Sequence, residues 1–312
     1  VNSKLLSNRT SRNRAIATFA VVFAVIGLGG GLALGATNKE TVKLDRVAQV
    51  AKPQQRQQTT GTISSGFNPQ INGFSFANFT DNPNNTAVGI EDLITVFGQT
   101  SVCAQVTEGT CAPYKSATDF ITKLRVELAK GRCDGLVVLA SRLFQKQSSL
   151  TNFSSNATTT AQLTVSQVDN EVVYWWTTQI LPGFTKASTE TLALQPSQFA
   201  DRIAQDIRSG AGSTIGIYTN EIGHSVLPIA IRFNGSLAEI DIYDSNTPGL
   251  TQRLTINRDL ESWAYVVSNA SGLETQTVSG NGSGRLALVA MNARQSTPTK
   301  YFANLDGATT SK

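Results

Sequence analysis

The strongest constraint on the fold is a change of hydrophobic period at Gly212. Before it, apolar residues recur at helical spacing. Residues 117–130, ATDFITKLRVELAK, put Phe120, Leu124 and Leu128 on one face with Ile121 beside them, and Gly131 stops the helix. Residues 134–145 are a second apolar segment of helical length, and a third helix is expected around 165–181. SQFADRIAQDIRSG (197–210) reads as a fourth, with Ser197 as its cap and Gly210 as its stop. After Gly212 the apolar runs shorten. Segments 213–219, 224–233, 238–244, 253–257, 262–268 and 285–292 read as strands between Gly, Asn and Ser turns, and Asn234-Gly235 is a hairpin signal. The expectation is an α+β architecture, an N-terminal helical part followed by an antiparallel β-sheet.

Charge is placed as unevenly as hydrophobicity. The net charge of +4 is the difference between 26 Lys and Arg and 22 Asp and Glu. Lys4, Arg9, Arg12 and Arg14 supply that whole excess, and residues 1–36 contain no acid, so the rest of the chain is neutral. With no basic stripe interleaved with aromatics, nucleic-acid binding is set aside. The basic stretch precedes an apolar run, Ala15 to Ala36, long enough to span a bilayer. Two readings stand. Residues 1–36 are a signal-anchor transmembrane helix, favoured by the length of the run, or a signal peptide whose small-x-small cleavage site is Ala33-Leu34-Gly35 before Ala36. Either exports the remainder, to the extracytoplasmic side of the cell membrane or as a secreted protein. Gly27, Gly31 and Gly35 fit a glycine-rich signal end as well as a helix-pairing face. Residues 37–65 are Gln/Thr-rich and read as a flexible linker. A folded domain is expected over 66–292, and 293–312 as a polar C-terminal tail. Asn78, Asn152 and Asn269 open sequons that a eukaryotic secretory pathway would glycosylate.

The chain has three cysteines and one histidine. Cys103 and Cys111 lie in one short loop-like segment and are expected to pair as a disulfide in an exported protein. Cys133 is left over, in Gly131-Arg132-Cys133-Asp134-Gly135, where one helix ends and another begins. Free N–H groups at a helix start favour a thiolate, Arg132 supports it, Asp134 opposes it, and flanking glycines admit a substrate backbone. A buried, inert thiol is the equal alternative on cysteine evidence alone. His224 opens a strongly apolar strand. The turn at Asn234 folds the next strand, AEIDIYD, back antiparallel, so Asp244, or Asn246 just beyond it, returns beside His224 as an orienting partner. A nucleophile-elbow hydrolase fails on two counts: a helix precedes Cys133, and the order is Cys133, His224, Asp244. With two cysteines bridged, one Cys and one His are too few soft ligands for zinc, and no metal or other cofactor is expected.

A nucleophilic Cys heading a helix, a His opening a strand and an Asp or Asn after the next strand resembles the papain-like order. The matching pieces are GFSFANF (73–79), VFGQTSVC…GTC (96–111), GRCDGLVVLAS (131–141), GHSVLPIAI (223–231) and IYDSNTPG (242–249), over roughly residues 66–270. They are most similar to bacterial exported papain-like, cysteine peptidase-like proteins. The resemblance implies a peptidase or amidase with Cys133 as nucleophile, His224 as base and Asp244 or Asn246 as orienter, acting on a peptide or amide substrate. A relative that keeps only the fold, binding a peptide or cell-surface partner, is the alternative. One departure stands out. The usual Gln or Asn before the Cys is replaced by Glu127, Leu128, Ala129 and Lys130, so the oxyanion hole lacks its second donor. Gln179 is a distant candidate.

Overall fold

The computed structural model describes residues 61–80, 88–220, 223–268, 275–295 and 301–309. The apolar run of 15–36, linker residues 37–60 and the Asn269 sequon lie outside them. Among the described residues, no helix is long and apolar enough to cross a membrane.

The chain begins with strand β1 (Thr62–Ser64) and short helices α1 (Pro69–Asn72), α2 (Ile90–Phe97) and α3 (Gln99–Val102). A hairpin of β2 (Cys103–Thr107) and β3 (Thr110–Pro113) follows, then α4 (Lys115–Leu128), α5 (Cys133–Phe144), α6 (Val165–Thr177), α7 (Pro182–Leu192) and α8 (Pro196–Ser209). The remainder is β4 (Ser213–Tyr218), β5 (Gly223–Asn234), β6 (Leu237–Tyr243), β7 (Thr251–Asn257), β8 (Ser262–Ser268), β9 (Thr275–Asn281), β10 (Leu286–Ala290) and a final helix, α9 (Tyr301–Thr309). The architecture is α+β. Strands run in the order β10-β4-β5-β6-β7-β8-β9, all antiparallel, with β1 added to β5.

Three elements interrupt the expected order of helices first and sheet second. Thr62–Ser64, inside the expected linker, pairs with Ala230–Arg232 of β5. The β2–β3 hairpin is closed by the Cys103–Cys111 disulfide. The expected polar tail is also incorrect: Arg294 and Phe302 are almost wholly buried, and Phe302 packs against Phe97 and Phe120. A short run with only two aromatics carries too little periodicity to reveal a packed helix.

Strand β5 organises the sheet. Its first part pairs with β4, its later part with β1, and its other edge with β6. A bulge between Pro228 and Ala230 adds one residue, which inverts the in–out alternation. Val226 and Ile231 therefore face the layer built on α8, while Leu227 and Ile229 face α5. One strand thus serves two cores. Helix α5 lies between the sheet and α6, with ten of its twelve residues buried. Gly135 makes this possible: a Cβ there would stand 2.0 Å from the carbonyl oxygen of Val172 on α6. Helix α8 starts with Pro196 at its first position and ends at Gly210, φ 68°. Ser197 is not its cap, because its N–H and hydroxyl are both held by the Glu261 carboxylate.

Candidate active site

Helix α5 begins at Cys133, and strand β5 begins at Gly223 and His224. The hairpin through Asn234-Gly235 pairs Leu227 with Tyr243, so the chain leaves β6 beside the mouth of β5. Asp244 is the next residue. Its Oδ1 lies 2.9 Å from Nε2 of His224. The Cys133 thiol is the other side-chain hydrogen-bond partner of the imidazole. With Nε2 engaged by Asp244, Nδ1 is the nitrogen left for sulfur. The three residues separated by up to 111 positions in sequence therefore meet in the order thiol, imidazole, carboxylate.

Asn246 does not orient the histidine. Its Nδ2 donates to the Ser268 carbonyl at 2.5 Å, and only its backbone N–H reaches Asp244 Oδ1, at 2.8 Å. The other carboxylate oxygen accepts the Tyr265 hydroxyl at 2.5 Å. Asp244 is fully buried and each oxygen is engaged. Burial alone would push its pKa up, but His224, Tyr265 and the Asn246 N–H outweigh that and hold it below the ordinary value of 3.8. For His224 burial opposes the charged ring, yet attraction to Asp244, with the bonds to Asp244 and Cys133, raises its pKa well above 6.5. Asp244 and Cys133 thus favour the charged ring more than water does for a free histidine. Tyr265, buried beside the carboxylate, is held as a neutral phenol far past its ordinary range.

Two further sets of contacts fix the pair. The residue after Cys133, Asp134, accepts a 2.8 Å bond from the hydroxyl of Ser225, the residue after His224. The two chain segments are tied side by side. Arg294 closes the same carboxylate with bonds of 2.7 and 2.9 Å, and also donates to Thr178 and Thr214. Asp134 is therefore a paired, structural acid rather than a free charge acting against the thiol. Asn78 makes the second tie. Its N–H donates to Ser245, beside Asp244, and its Oδ1 accepts from the N–H of Arg132, beside Cys133. Its 5 % exposure removes it as a glycosylation site.

Other expectations about the Cys133 segment are corrected. Arg132 turns away from the thiol; its guanidinium lies 4.7 Å from the Phe79 ring centre and 3.5 Å from Asp169. The flanking glycines serve packing, not substrate access. Gly131 has φ 132° and a Cβ there would stand 2.8 Å from the Asn78 amide nitrogen, while Gly135 meets α6. Tyr265, Asn78 and Arg294 had no local signature: each is one polar residue in an ordinary strand, loop or turn, and its role depends on contacts 21 to 160 positions away.

Cys133 and His224 line a small cleft of about 20 Å³, with Gln179 on its wall. The Gln179 amide donates one N–H to the Trp176 carbonyl at 3.0 Å, which fixes the group and leaves its second N–H. Cys133 itself sits in the first turn of α5, where backbone N–H groups have no intrahelical acceptor. Among the described residues no cluster of three or more Cys, His, Asp or Glu is arranged to hold a metal. No protein-family model matches the chain, and no curated protein or solved structure matches it either.

Proposed function

We propose that the chain is a thiol hydrolase of peptides or amides, of papain-like type, working outside the cytoplasmic membrane. The observation that carries the reading is the buried Asp244–His224 contact at 2.9 Å with the free Cys133 thiol on the other side of the ring. A nucleophile, a base and an orienter in mutual contact at a cleft is the arrangement acyl transfer requires.

In this reading Cys133 sulfur attacks the substrate carbonyl carbon, a C–S bond forms, and the carbonyl π electrons move to oxygen. The Cys133 N–H and the second N–H of Gln179 receive that oxyanion. The imidazolium gives its proton to the departing nitrogen as the C–N bond breaks, leaving a thioester and neutral His224. Water then loses a proton to His224 and attacks the thioester. Its oxygen bonds to carbon, the C–S bond breaks, and thiolate and imidazolium are restored. The export part of the proposal rests on the basic stretch and apolar run within residues 1–36, with the Cys103–Cys111 disulfide in keeping with an oxidising compartment.

Iodoacetamide labelling near neutral pH tests the reading. Selective alkylation of Cys133 in the folded chain is expected, slowed roughly ten-fold or more by His224→Ala. A thiol that reacts only after denaturation contradicts it, and would leave a papain-like module that binds a peptide or cell-surface partner without turnover.

A further inference from the structure

Beyond the Cys133–His224–Asp244 set, the charge on the cleft wall is paired. Asp134 is the acid on its wall, and it is 2 % exposed. Both of its oxygens are taken by Arg294, with Ser225 adding a third bond. Arg294 is 1 % exposed, its two terminal nitrogens also reach threonine hydroxyls, its Nε is buried without a hydrogen-bond partner, and its guanidinium lies 4.8 Å from the Phe184 ring centre. Acid and base therefore neutralise one another beneath the wall, and burial keeps both from a ligand. His224 is matched in the same way by Asp244. What remains on the wall is apolar or neutral: Trp176, Phe184 and Val289, with the Gln179 amide and the Tyr218 phenol. Gly216 leaves the space that the Tyr218 hydroxyl fills, since a Cβ there would stand 2.4 Å from that oxygen.

We infer that the substrate residue supplying the reacting carbonyl carries an uncharged side chain, an inference that rests on the thiol-hydrolase reading above. A charged side chain entering this cleft gives up its hydration and, apart from the reacting Cys133–His224 pair, finds no unpaired opposite charge among the lining residues. An aliphatic one exchanges water for Trp176, Phe184 and Val289. The paired Asp134 and Arg294 thus act as a specificity device as well as a tie between segments.

The test uses three N-acetyl-alanyl-X chloromethyl ketones, with X valine, lysine or aspartate, on the purified chain. Cys133 sulfur displaces chloride and forms a stable C–S bond, so the rate of adduct formation is read by mass spectrometry. The valine reagent is expected to label Cys133 at least about ten-fold faster than either charged one. Iodoacetamide is run in parallel. If it labels Cys133 while the three ketones react alike, fail to react, or favour a charged one, the hydrolase reading stands and this inference falls. If it too labels only denatured chain, the hydrolase reading falls and takes the inference with it.

Discussion

At the residue scale, the outcome turns on which of two neighbouring polar residues holds the imidazole. Asp244 does, because Asn246 commits its side chain to the Ser268 carbonyl. Two variants separate the roles. Asp244→Asn removes the charge that stabilises imidazolium and is expected to slow iodoacetamide labelling of Cys133 by roughly ten-fold or more. Asn246→Ala keeps the backbone N–H on Asp244 and loses one buried side-chain bond. It should cost about 1 kcal/mol in denaturant unfolding while leaving labelling within about two-fold. The sequence made Cys133, His224 and Asp244 legible because a two-strand hairpin converts spacing into proximity. It left Asp244 and Asn246 unresolved because both occupy one strand end, and the choice depends on an acceptor 22 positions away.

At the scale of elements, the site is a junction of α5 with β5, held by ties made one residue beyond each reacting group. Asp134 with Ser225 and Arg294 is the inner tie, and Asn78 the outer one. Arg294→Met strands a buried carboxylate and is expected to lower unfolding stability by about 3–5 kcal/mol, measured by urea titration. Gly135→Ala places a methyl into the α6 backbone at 2.0 Å from Val172 oxygen, so the helices must separate. Its cost should be about 2–3 kcal/mol, accompanied by loss of selective Cys133 labelling as α5 shifts. Most strands and the helices α4, α5, α6 and α8 were legible from periodicity. Helix α7 and strand β9 were not: Pro182–Leu192 buries only Phe184 and Ser188, and Thr275–Asn281 buries only Val278. Elements that contribute one or two apolar side chains leave no period to read.

At the scale of the molecule, stability and protonation are linked through the same buried pair. His224 has a raised pKa in the folded state, so its contribution is full below about 6.5 and declines as pH rises through the folded value. Asp244 has a lowered pKa, so its contribution is full above 3.8 and declines as pH falls through its folded value. Thermal midpoints of the wild type should therefore fall on the alkaline side of neutrality, and His224→Ala should lose that component. The chain ends contribute through packing. Phe302, wholly buried against Phe97 and Phe120, should cost about 3–5 kcal/mol on replacement by alanine, read by calorimetry. The central claim, a coupled Cys133–His224–Asp244 relay, can be read from one side chain because the chain has a single histidine. Nitrogen-15 NMR of that ring at about pH 7.5 should show both nitrogens protonated, with the titration midpoint lowered by Asp244→Asn and shifted by Cys133→Ala. A neutral ring that titrates near 6.5 and is indifferent to both substitutions would contradict the relay.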